Sequence, residues 1–97
     1  MILANGVLSI TVTTEDITFG IRGSPRACPI ARSIRRELDL KNSDVVQVMD
    51  FLLIMQGKKL SYFKLTNIAE KFIIAFDNNH EVKPHTFYFR RHTNYLF

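Results

Sequence analysis

The 97-residue chain has no tryptophan, one cysteine, three prolines and four glycines, and its apolar runs stop at five residues, as in Phe51-Leu52-Leu53-Ile54-Met55. A single cysteine excludes an intramolecular disulfide, and with it the stapled scaffolds of small secreted proteins. Five apolar residues fall far short of the ~20 that a helix needs to span a bilayer, so no membrane partner is expected. The stretch Met1-Ile2-Leu3-Ala4-Asn5-Gly6 carries no basic residue and does not fit a signal peptide. A soluble protein in a reducing, cytoplasmic compartment is the expectation. His80, His85 and His92 are five and seven residues apart, which matches no zinc-ligand spacing. Phosphate-loop, dinucleotide-binding and nucleophile-elbow motifs are missing too. No metal, no cofactor and no enzymatic activity are expected.

What is present is an ordinary globular composition, 46% hydrophobic and 23% charged, with eight phenylalanines to build a core. That many aromatics argues against disorder. The length suits one domain over residues 1–97, with no repeat or linker, and the polar and aromatic segment 91–97 reads as a flexible tail.

Val7-Leu8-Ser9-Ile10-Thr11-Val12-Thr13 alternates apolar and hydroxyl side chains, the pattern of a half-buried strand. Thr14 with Glu15 and Asp16 behind it suits the start of a short helix, which Gly20 stops. Two serine/cysteine–proline pairs, Ser24-Pro25 and Cys28-Pro29, could open the next helix. The second is favoured, because Ile30, Ala31, Ile34 and Leu38 then form one buried stripe. Val45 to Met49 reads as a strand. Phe51 to Met55 either continues it past a bulge at Asp50 or forms a strand of its own. Gln56-Gly57-Lys58-Lys59 is a turn, and Leu60 to Leu65 returns. Thr66 caps a helix whose buried face carries Ile68, Phe72, Ala75 and Phe76, with Ala69 and Ile73 beside them and Asn78-Asn79 as its stop. Pro84 to Arg90 is the last strand. The pattern implies an α+β sandwich, a mostly antiparallel sheet of about four strands with two main helices packed on one face.

Residues 20–38 hold the chemistry that a plain core element does not need. Arg22, Arg26, Arg32, Arg35 and Arg36 lie in or just after a Gly/Pro loop, and the last three point away from the apolar stripe. Guanidinium groups grip carboxylates and phosphates through paired donors, which makes these five a candidate partner-binding face. The competing reading is a solvated helix face partly neutralised by Glu37 and Asp39. Lys58, Lys59 and Lys64 form a second basic group with possible nucleic-acid contact. Tyr62, Phe63, Phe87, Tyr88 and Phe89 resemble the aromatic strands of RNA-binding sheets, although about half of them must face the core. Cys28 before a helix N-terminus invites a nucleophile reading, but no histidine is fixed against it, and a buried cap residue explains it better. Asp16, Glu70 and Asp77 are explained by helix ends and solvation rather than by acid/base catalysis.

Thr14-x-Asp16-Ile17-x-x-Gly20-x-Arg22, Cys28-Pro29-Ile30-Ala31, Phe76-Asp77 and Val82-x-Pro84-x-x-Phe87-x-Phe89 together resemble a layout in short uncharacterised proteins encoded by bacteriophages and prophages. His85 departs from that layout, which has an apolar or aromatic residue after the proline. The resemblance implies a phage gene product acting inside a bacterial cell and brings no catalytic residues. The expected function is that of a small non-enzymatic binding protein, docking through its arginines on a host or phage protein or nucleoprotein complex, as counter-defence inhibitors of the anti-CRISPR kind do. The alternative is sequence-independent nucleic-acid binding through phosphate contacts. A homodimer is open.

Overall fold

The computed structural model describes residues 6–92. The strand β1 (Val7–Val12) is followed by the helices α1 (Thr14–Phe19) and α2 (Pro29–Glu37). The strands β2 (Val45–Val48), β3 (Phe51–Gln56) and β4 (Lys59–Lys64) precede the helix α3 (Asn67–Asp77) and the final strand β5 (His85–Arg90). All pairing is antiparallel, in a β1–β5 ladder and a β2–β3–β4 ladder. The two ladders meet at one antiparallel bridge between Phe63 and Arg91, beside which the His92 amide donates to the Tyr62 carbonyl at 2.8 Å. Of the expected tail, Arg91 and His92 are therefore tied to β4, and residues 93–97 lie outside the described residues.

The fold class is the α+β arrangement that the periodicities imply, but with five strands among the described residues where about four were expected. Met49 and Asp50 turn the chain instead of bulging it, so Phe51 opens a separate strand, with Val48 opposite Leu52. Alternation then sorts every strand. Leu8, Ile10, Val12, Val46, Val48, Leu52, Ile54, Phe63, Phe87 and Phe89 point inward to a single cluster completed by Ile30, Ala31 and Ile34 of α2. At ~1.5–3 kcal/mol for each large apolar side chain, that burial is the main stabilising term. Among the described residues no helix covers the outer face of either ladder.

Local chemistry sets the helix ends. Thr13, not Thr14, caps α1, in a capping box with Asp16. Gly20 ends that helix with an extended backbone, φ −65°, so it is not needed for a left-handed turn. It is needed for space: a Cβ there would lie 2.8 Å from the Asp16 carbonyl oxygen and 2.8 Å from the ring of Pro29. Cys28 caps α2, its Sγ accepting from the Ala31 amide at 3.5 Å, with Pro29 as the first helical residue. α2 and α3 both end in a Schellman arrangement. Asp39 (φ 51°) and Asn79 (φ 63°) take the left-handed position, and the Leu40 and His80 amides reach back to the Arg35 and Ala75 carbonyls.

The buried stripe of α3 is Ala69, Phe72, Ile73 and Phe76, spaced three and four apart. Ile68, expected on that face, is 61% exposed. The stripe is centred one residue later than expected, so Ile68 and Ile74 both turn to solvent. Phe72 meets Phe87 edge-on at 5.2 Å, holding α3 against the inner side of β5.

Candidate interaction surfaces

The arginine segment is built as architecture before it can be anything else. The 21–28 loop is closed by the Ile21 amide on the Ala27 carbonyl at 2.8 Å and anchored to β2 by the Val48 amide on the Pro25 carbonyl at 2.8 Å. Asp16 lies at its centre of charge. It is 1% exposed and accepts from the Thr13 amide at 2.9 Å and, through both carboxylate oxygens, from Arg36 Nη1 at 2.6 Å. Arg36 Nη2 also reaches the Thr11 carbonyl at 2.9 Å and lies 3.6 Å from Glu37. Arg32 stands 3.8 Å from the same Asp16 carboxylate, its Nε buried without a hydrogen bond, and its guanidinium lies over the exposed Phe19 ring at 5.7 Å.

Arg35 staples the end of α2 to the next loop, donating to the Asp44 and Lys41 carbonyls at 3.0 and 2.6 Å. Arg22 donates to Asn79 and lies over the Phe76 ring at 5.3 Å, joining the loop to the end of α3. Arg26 is exposed and has no hydrogen bond or ion pair among the described residues. Of the five arginines, then, four are held by groups of the chain itself.

The lysines are dispersed as well. Lys58 and Lys59 sit at the β3–β4 turn, while Lys64 ends β4 about 17 Å from Lys59 at the usual rise per residue. Asp44 braces that turn, accepting from the Gly57 amide at 2.9 Å and the Lys41 amide at 2.8 Å. These backbone donors hold its carboxyl below the usual carboxylate range.

The outer face of β2–β3–β4 was not singled out by sequence reasoning. Val45, Phe51, Leu53, Met55, Leu60 and Tyr62 share it with Gln47, and Lys64 stands at its edge. Phe51, Met55 and Leu60 are exposed, and the Phe51 and Tyr62 rings meet at 5.3 Å. The signal was in the sequence: an unbroken run such as Phe51 to Met55 fits a strand that is apolar on both faces. Contiguous exposed apolar surface of this kind marks interaction sites. The adjoining outer face of β1–β5 differs, with Thr11, Thr86, Tyr88 and Arg90.

A groove of about 360 Å³ lies on the opposite side, between α3, the 23–28 loop and the Met49–Asp50 turn. Cys28 is in its wall, and Asp50, Glu70 and Asp77 rim it. Burial pushes the Cys28 thiol above its ordinary range, and none of the three histidines lines the groove. Among the described residues no group of three His, Cys, Asp or Glu could hold a metal ion, and no helix is long and apolar enough to cross a membrane. No family model, no curated protein and no solved structure matches the chain.

Proposed function

We propose that this chain is a non-catalytic binding protein that docks on a protein or nucleoprotein complex through the outer face of its sheet. The observation that carries this reading is the apolar surface of Phe51, Leu53, Met55 and Leu60 on one side of a sheet whose other side buries Val46, Val48, Leu52, Ile54 and Phe63 in the core. In a sheet with one solvated face, each strand alternates apolar inward with polar outward; β3 instead carries Phe51, Leu53 and Met55 outward. Lys58 and Lys59, on the hairpin turn beside Leu60, add positive charge at one end of this face, which favours an acidic or phosphate-bearing partner. The likeness to short phage proteins supports a partner in a bacterial cell and a counter-defence role.

Immobilised chain and its Phe51→Glu/Met55→Glu variant, matched for melting temperature, test the reading by capture from a bacterial lysate. The wild type retains a defined complex and the variant loses it. Equal capture by the two removes the sheet face from the interface.

A further inference from the structure

Where the two ladders meet, the outer face changes character. A groove of about 470 Å³ opens there, with Val7 and Leu65 as its apolar part and Lys64, Thr66, Asn67, Tyr88 and Arg90 around it. Among the described residues no carboxylate lines it. The antiparallel bridge of Phe63 with Arg91 fixes the local order, so one step along it Lys64 comes beside Arg90 on the outer face. Like charges opposed across strands destabilise a sheet. Neither cation has a hydrogen bond or ion pair among the described residues. Folding thus sets two positive charges, unpaired among the described residues, side by side at the groove, an arrangement that an anion between them would relieve.

Tyr88 supplies the second component. It lies two residues before Arg90 on the same face of β5, directly opposite Ser9, and is 59% exposed. A ring left this open beside paired cations has the makings of a stacking platform, since every nucleobase has a face to lay on it. The first turn of the 11-residue helix α3 starts at Asn67 in the same groove and adds its positive end.

We propose that this groove binds a phosphate–base unit of single-stranded nucleic acid, with Lys64 and Arg90 on the phosphate and the base stacked on Tyr88. The inference rests on reading the outer sheet face as a docking surface and names the chemistry at its basic end. A phosphate alone would leave Tyr88 unused, and a duplex would keep its bases from the ring.

The probe is a fluorescent oligothymidylate of about twelve nucleotides, read by anisotropy as salt rises from about 50 mM. Lys64→Ala with Arg90→Ala weakens binding at least about tenfold and lowers the slope of log affinity against log salt by about 1.4, two contacts' worth. Tyr88→Ala weakens it roughly five- to hundredfold without changing that slope, and Tyr88→Phe restores it. Lys83→Ala, off this face, leaves affinity within about twofold. All four positions are exposed, so each variant should melt close to the wild type.

The proposal is overturned if the wild type does not bind at low salt, if the folded variants bind as well as it does, or if duplex DNA or polyglutamate binds as tightly. Absent oligonucleotide binding, with capture still lost in Phe51→Glu/Met55→Glu, removes this site alone. Oligonucleotide binding that persists while capture is unaffected by those glutamates supports the site and overturns docking on the apolar stretch.

Discussion

Replacing Arg36 by alanine would leave the Asp16 carboxylate buried, its side chain 2% exposed, with Thr13 as its hydrogen-bonding partner and Arg32 at 3.8 Å. Breaking a buried ion pair costs ~3–5 kcal/mol when the remaining charge has no compensation. Here the cost is reduced, because the Arg36 side chain is 43% exposed in the intact protein and two donors of Thr13 remain. A loss of about 2–3 kcal/mol follows. For a domain of this size that is a fall of roughly 10–20 °C in Tm. Asp16→Ala removes the capping box as well, but it leaves only a half-exposed guanidinium that water can reach. Once either partner is gone, losing the second should cost less, so the double variant falls short of the sum of the singles by about 1 kcal/mol or more. Thermal melting followed by far-UV circular dichroism reads all three variants. A change below about 0.5 kcal/mol for Arg36→Ala, the range of an ordinary surface substitution, refutes the structural role and returns Arg36 to the solvated face.

Gly20→Ala should cost about 1–3 kcal/mol by overpacking, because the new methyl meets a backbone oxygen and a proline ring, neither of which yields cheaply; a loss below about 0.5 kcal/mol would show that α1 can shift. Asp39→Gly should stabilise by about 0.5–1 kcal/mol, since the exposed Asp39 occupies a left-handed position that glycine takes without strain. Denaturant unfolding decides it, and a loss of stability would mean that Asp39 makes a contribution beyond its backbone shape. Asp44 has a folded pKa below its unfolded one, so its contribution is present above about pH 4 and is lost as pH falls through the depressed folded value. Asp44→Asn should therefore flatten the acid side of the stability–pH curve, and an unchanged acid limb contradicts the bracing by Gly57 and Lys41.

The elements were legible because each rests on a short-range rule. Cys28-Pro29 opens a helix, Thr66 caps one, Asn79 stops one, and Phe63, Phe87 and Phe89 alternate inward as a two-residue period requires. The fate of the arginines was not legible, because it depends on a partner far away in sequence. Nothing near Arg36 announces that Asp16 will fold beneath it, and the Arg22 contact with Asn79 spans 57 positions. The pairing of Lys64 with Arg90 was hidden for the same reason: it arises only when β4 and β5 converge at Phe63 and Arg91. Strand β3 offered the one signal that could have located the outer surface, its unbroken apolar run, and composition alone does not say which side of such a strand stays open.

The measurement that bears most directly on docking through the sheet is a thiol-labelling footprint. Cys28 is buried and its thiol stays protonated beyond the usual range, so a maleimide should report mainly on an introduced cysteine. Met55→Cys lies on the outer face and Arg26→Cys on the exposed loop. With the captured complex bound, the account expects labelling at position 55 to be suppressed and labelling at position 26 to continue at the free rate. Suppression at 26 with full reactivity at 55 would contradict it and return the interface to the arginine loop.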